Sequence, residues 1–311
     1  MNKESAEFSK IFSFFVLTVV VLFLFCAAKT TLINGATEQR KAVLGFRELL
    51  PTPVPYPRNK NIYPLSEITA SSAIVIDADS LVALYEKNIN FRLPIASLSK
   101  IMTALVSLEN YRLDQNLRVN NTKVDGSLIK LVEGEEISVE NLLYGLLVAS
   151  GNDAAEILAE NFPQGTAGFV WAMNQKAQEL KLENTRFSNP IGFDEENQYS
   201  SAKDLARLTI FALKNPIFSK IVATEKIDIS DTTGTIIHSL KNTNELMGKI
   251  EGVKGVKTGT TENAGECLVS LIERDGRRIV IVILGSKNRF EETKALINWV
   301  FDNFEWKSIS F

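Results

Sequence analysis

The sequence predicts an α/β protein of the α+β type, with one sheet assembled from both ends of the chain around a helical middle. Three observations predict it. Two early apolar runs flank a turn, a long stretch of helical periodicity follows, and a second strand pair comes near the end. At 311 residues, 45% of them apolar, the chain can bury a large core.

Ser72 to Lys87 gives the first hairpin, with apolar runs on either side of Asp77-Ala78-Asp79-Ser80. Ser97 to Asn110 then places Ile101, Leu105 and Leu108 on one helical stripe. Helical patterning returns from about Ser138 to Leu213. Within it, Ser201 and Asp204 form a capping-box signature ahead of Leu205 and Leu208. Strands are expected at Cys267 to Ile272 and Ile279 to Leu284, joined by the hairpin turn Arg274-Asp275-Gly276-Arg277. A last helix spans Phe290 to Phe304, with Ile297, Val300, Phe301 and Phe304 on its apolar face.

Upstream of these elements, residues 1–10 read as a short cytoplasmic segment. Ile11 to Ala28 is an uncharged apolar run of 18 residues, about 27 Å long as a helix against a bilayer core of about 30 Å. Two readings stand: a retained membrane anchor, or a signal h-region cleaved after Ala28 with Cys26 and Ala28 as the small residues. The anchor is favoured, because no later segment could hold the chain at a membrane. On either reading the chain is exported. Residues 29–66 contain Pro51, Pro53, Pro55, Pro57 and Pro64, which predict an extended, semi-rigid spacer. The globular domain is expected over 67–311.

Several function classes fall away on composition. A mean hydropathy of +0.02 excludes a polytopic membrane protein. With 34 basic against 37 acidic residues, nothing favours a nucleic-acid partner. His238 is the sole histidine, so a multi-histidine zinc site is excluded and a Ser-His-Asp hydrolase would have to run through that one residue. The two cysteines, Cys26 and Cys267, form no disulfide framework and read as small apolar residues.

A serine nucleophile therefore needs a lysine or a carboxylate as its helper. Ser97 and Lys100, spaced i, i+3 at a helix start, share one face. The helix N-terminus favours a developing oxyanion and disfavours a protonated lysine. The pair alone has little weight, since Ser127/Lys130 and Ser200/Lys203 repeat the spacing. Of the three, only Ser97/Lys100 opens a strongly apolar helix. Ser150-Gly151-Asn152 and Lys257-Thr258-Gly259 each occur once, and the order SxxK, SGN, KTG is a specific constellation. Taken singly, Asn152 could equally be an N-cap, and Lys-Thr-Gly an ordinary strand start.

On these motifs, with RLPIASLSKIMTAL, LLVASGNDAA, FSNPIGFD, YSSAKDLARL, NTNELM and GVKGVKTGTTENAGECLV, the chain resembles the serine-type D-Ala-D-Ala carboxypeptidases, the low-molecular-mass penicillin-binding proteins. The likeness covers about Ser66 to Trp306. It implies a β-lactamase/transpeptidase-like fold, a mostly antiparallel sheet flanked by helices with a helical subdomain. It further implies removal of the terminal D-Ala from peptidoglycan stem peptides ending in D-Ala-D-Ala, with β-lactams as covalent inhibitors and no metal or organic cofactor.

Carried over residue by residue, Ser97 is the expected acyl-ester nucleophile and Lys100 its proton acceptor. Ser150 and Asn152 relay protons and hold the substrate amide, and Lys257 supplies positive charge. Thr258, Gly259 and Thr260 are expected to bind substrate with it, and the Thr260 N–H joins that of Ser97 in an oxyanion hole. Arg289 reads either as a binder of the terminal carboxylate or as a solvated helix-start residue. Family members usually continue into a β-rich domain and a C-terminal amphipathic anchor. Neither appears before Phe311, which supports the expectation of an N-terminal anchor at the outer face of the cytoplasmic membrane. The rival activities are a D,D-endopeptidase, a β-lactamase on the same fold and a non-catalytic muropeptide-binding protein. Against the β-lactamase, the ExxLN pattern is absent, although Glu195 and Glu196 follow NPIGFD.

Overall fold

A computed structural model describes residues 54–120 and 123–308. The segment 1–10, the apolar run 11–28 and the first part of the proline-rich stretch lie outside the described residues. In chain order the elements are β1 (Tyr56–Asn59), β2 (Ser72–Asp77), β3 (Ala83–Lys87) and a 3₁₀ turn (Ala96–Ser99) running into α1 (Lys100–Asn110). Next come β4 (Asn116–Arg118), β5 (Glu136–Ser138), α2 (Val139–Leu147), α3 (Asn152–Glu160), α4 (Gly165–Glu179), α5 (Ala202–Ala212) and α6 (Pro216–Val222). The chain closes with β6 (Lys226–Ser230), β7 (Ile237–Lys241), β8 (Val253–Thr261), β9 (Gly265–Arg274), β10 (Arg277–Ser286), α7 (Arg289–Asn303) and β11 (Phe304–Lys307).

The central sheet has the order β3-β2-β10-β9-β8, every pair antiparallel. Two strands come from the start of the unit and three from its end, so the sheet is assembled from both ends of the chain as the sequence predicts, with β8 added to the expected final pair. Strand β10 shows why. Its run Ile279 to Leu284 is apolar at every position, which suits a strand covered on both faces. Ile279, Ile281 and Ile283 pack with Val75 and Leu268 against Leu296, Ile297 and Val300 of α7. Val280, Val282 and Leu284 face the opposite way, into the larger core that holds Ile101, Leu105, Leu205 and Leu208. Asp275 and Gly276 both adopt positive φ, 51° and 69°, as the two-residue hairpin between β9 and β10 demands.

The helices start where their caps are. Ser201 accepts from the Asp204 amide, but the Asp204 carboxylate bonds Asn184 and Thr185 and does not return to Ser201, so only half of the box forms. Asn215 caps α6 ahead of Pro216, and Asn288 caps α7, whose first turn carries Glu291 and Glu292.

The structure corrects four expectations. The compact unit begins at Val54, not near Glu67, because β1 pairs with β11 and turns part of the supposed spacer into an edge strand. Pro57 is tolerated there because an edge strand leaves one side of its backbone unpaired. The helix expected from Ser97 opens as a 3₁₀ turn and becomes α-helical only at Lys100. The helical middle is interrupted between α4 and α5 by an irregular stretch through residues 180–201. The last helix stops at Asn303, so Phe304 opens β11. Among the described residues, no helix is long and apolar enough to cross a membrane.

Candidate active site

Three chain segments meet at the edge strand β8. The 3₁₀ turn with Ser97 packs against β8, and that contact explains Gly259. A Cβ there would lie 2.9 Å from both the Ala96 Cβ and the Ser97 backbone nitrogen. Gly259→Ala is therefore expected to push the strand off the turn and slow acylation of Ser97 by about 10- to 100-fold with the fold retained. Stopped-flow acylation beside a thermal melt checks this, and an unchanged rate would show that the close approach is dispensable.

Lys100 is completely buried. Its Nζ lies 3.0 Å from Ser97 Oγ, 2.7 Å from Asn152 Oδ1 and 2.6 Å from the Ile191 carbonyl oxygen. The last two oxygens can only accept, so they take two N–H bonds. The third direction from Nζ faces a hydroxyl. In the neutral amine that direction holds the lone pair, aimed at the Ser97 proton. Burial pushes Lys100 down to about 7, against the opposing pull of Asp153 and Glu156.

Lys257 is buried as well, and its Nζ donates to Ser150 Oγ at 2.7 Å and to the Thr258 carbonyl at 2.9 Å. Burial holds it well below the ordinary lysine value, with the positive charges of Lys100 and Arg289 adding to the effect. Ser150 adopts φ 61° and Ala96 φ 47°, left-handed conformations that cost a non-glycine residue about 1–3 kcal/mol each and cluster at functional sites.

A stability consequence follows from Lys100. Its folded value lies below the unfolded value of about 10.4, so between pH ~7 and ~10 the unfolded chain binds the extra proton. The unfolding free energy should then rise with pH, by up to about 1.4 kcal/mol per unit for this group. Urea titrations across that range should show a flatter slope in Lys100→Met. An identical slope would mean that Lys100 keeps an ordinary affinity for its proton.

Asn152 is not an N-cap; Gly151 occupies that position. Its Oδ1 accepts from Lys100 while its Nδ2 donates to the Asp125 carbonyl at 2.6 Å, so both partners fix the same amide orientation. Thr258 Oγ1 contacts Thr243 Oγ1 at 2.6 Å, on the far side of the strand's chemistry. Arg289 opens α7, yet its guanidinium turns back and donates to the Gly259 carbonyl at 2.8 Å and to Thr260 Oγ1. It thus places a positive charge beside the strand.

Apart from the Thr258 side chain, the expected residues therefore converge, while the two other Ser-x-x-Lys pairs do not. Lys130 and Lys203 point to solvent, and Ser200 is tied to Thr185. Glu195 accepts from Asn189, and among the described residues neither it nor Glu196 bonds any residue of the site. Sequence reasoning missed Asp153, whose carboxylate accepts from the Ile129 and Leu131 amides and so ties the neighbouring wall to α3. Its signal was its place directly after Asn152 in a helix's first turn. The Ile191 carbonyl left no side-chain signal at all.

The D-alanyl-D-alanine carboxypeptidase model, Peptidase_S11, matches residues 58–288. The D-alanyl-D-alanine carboxypeptidase DacF of Bacillus subtilis is 37% identical over 246 residues, 76% of this chain and 63% of that protein. A D-alanyl-D-alanine endopeptidase of Pseudomonas aeruginosa is 33% identical over 75% of this chain and 78% of its own length. In three dimensions, the Streptomyces K15 DD-transpeptidase matches with a TM-score of 0.71 at 30% identity, covering 77% of this chain and 100% of that one.

Proposed function

This chain belongs to the S11 family of D-alanyl-D-alanine carboxypeptidases, and from that premise we propose that it removes the terminal D-Ala from peptidoglycan stem peptides through an acyl-enzyme on Ser97. The single observation that carries this reading is the buried Lys100 Nζ 3.0 Å from Ser97 Oγ, lowered to about 7. Ser97 Oγ attacks the penultimate D-Ala carbonyl carbon as Lys100 takes its proton. The tetrahedral oxyanion lies between the backbone N–H groups of Ser97 and Thr260. Ser150, bonded to Lys257, passes a proton to the leaving amine and is reprotonated by the proton Lys100 took from Ser97, so the C–N bond breaks and free D-Ala departs with Lys100 neutral again. Water then attacks the ester carbonyl as Lys100 takes its proton; that proton returns to Ser97 Oγ when the C–O bond breaks, and the shortened peptide leaves as its carboxylic acid.

The substrate lies extended along the edge strand β8, with one Asn152 Nδ2 hydrogen left to hold its amide. Its terminal carboxylate sits against Lys257, Arg289 and Thr260 Oγ1, and that negative charge favours the ammonium form of Lys257. We place the anchor in residues 11–28 and the catalytic unit from Val54 onward, at the outer face of the cytoplasmic membrane. Incubation with a pentapeptide ending in D-Ala-D-Ala should release D-Ala, and the release should persist in EDTA. Cleavage of a crosslinked dimer with the pentapeptide left intact would instead support endopeptidase activity. Sustained turnover of penicillin would support the β-lactamase.

A further inference from the structure

We propose that the buried pair Glu135–His238 is a positioning device for Asn152, acting through the irregular wall segment between Asp125 and Val132. The proposal rests on the reading of Ser97 as an acylating serine. His238 lies on β7, outside the constellation just described. It is nevertheless buried together with Glu135, with side-chain exposures of 4% and 0%.

The bonds run in one direction, from this pair to the site. His238 Nδ1 lies 3.1 Å from the Ile129 carbonyl, an obligate acceptor, so Nδ1 carries a hydrogen. Its Nε2 lies 2.9 Å from Glu135 Oε1, with one proton between them. The other carboxylate oxygen of Glu135 accepts from the Val132 amide at 2.9 Å. The pair thus grips the wall segment at Ile129 and at Val132. The same segment presents two carbonyls to Asn152: Ser127 O accepts its backbone N–H at 2.7 Å, and Asp125 O accepts its Nδ2 at 2.6 Å.

The Asp125 bond matters most. It is what turns the Asn152 amide nitrogen toward the wall and leaves Oδ1 for Lys100. Should the wall withdraw, that amide loses one of the two partners that fix its orientation, and Oδ1 is held less firmly before Lys100. Asp153 secures the segment from the α3 side, whereas Glu135, just before β5, and His238 on β7 secure it from the other. These two residues bond none of the site's side chains, so their effect on chemistry passes through the wall segment, which reaches Lys100 by way of Asn152.

The experiment measures the second-order rate of acylation of the full chain by a fluorescent penicillin, with thermal unfolding of each variant alongside. His238→Phe and Glu135→Leu, both folded, should acylate about tenfold or more slowly, the scale expected when a supporting group is displaced. Glu135→Gln should stay within about threefold. Its amide can donate to the neutral imidazole and still accept from Val132, so rescue by this variant separates bonding from bulk. Should His238→Phe fail to fold, Glu135→Asp, which is one methylene short of His238, carries the same expectation. In an Asn152→Ala background, adding His238→Phe should cause no further loss, because residues that act through one another are not additive. Parent-like rates in the folded variants, or losses that multiply with Asn152→Ala, would overturn the proposal alone. A parent chain that takes no label would overturn the reading of the site and the proposal with it.

Discussion

Ser97→Ala is expected to reduce covalent penicillin labelling to background, a loss on the order of 10⁶ in rate for a nucleophile of this kind. Ser127→Ala and Ser200→Ala should label like the parent. All three serines stand three residues before a lysine, so the contrast is not one of spacing. Ser97 is the member whose lysine is buried beside it and pushed down to about 7. The solvated Lys130 and Lys203 have no such surroundings. Ser127 contributes its backbone carbonyl to Asn152, which alanine retains. Ser200 shares a hydrogen bond with Thr185 Oγ1 at 2.7 Å, a structural role. Equal labelling of Ser97→Ala and parent would remove the nucleophile from the account.

Lys100→Met should lower acylation by about 10²- to 10⁴-fold, the usual contribution of a general base. Methionine keeps most of the buried length and loses only the nitrogen. The parent's pH profile gives the sign independently. Only the neutral amine accepts the Ser97 proton, so the rate should climb about tenfold per pH unit below the Lys100 value and level off above about 7. A profile that is flat on the acid side, or that falls as pH rises through neutrality, would assign the base to another group.

How far the sequence carried depended on how local each cause was. Strand β10 declares itself because both of its faces are buried, which leaves an unbroken apolar run, and Asp275-Gly276 names its turn. Ser201 marks a helix start within a few residues of itself. By contrast, β1 and β11 form because two distant segments pair with each other, and proline-rich composition pointed away from a strand. The 3₁₀ start of the Ser97 helix lies where β8 approaches at Gly259, a tertiary contact with no local trace. At the site, the Ser97, Lys100, Ser150 and Asn152 positions stood out through the order of their motifs and the family resemblance that rests on it. What fixes them in place was not legible. The Ile191 and Asp125 carbonyls are backbone atoms that any residue could supply, and the Glu135–His238 contact joins positions 103 apart in sequence.

Mass spectrometry of a quenched reaction between the full chain and a D-Ala-D-Ala pentapeptide tests the central claim most directly. The account predicts free D-Ala in solution and a transient adduct, equal in mass to the substrate less D-Ala, on the proteolytic fragment that contains Ser97. D-Ala release with no adduct at any quench time, or an adduct mapped to Ser150 or elsewhere, would contradict it.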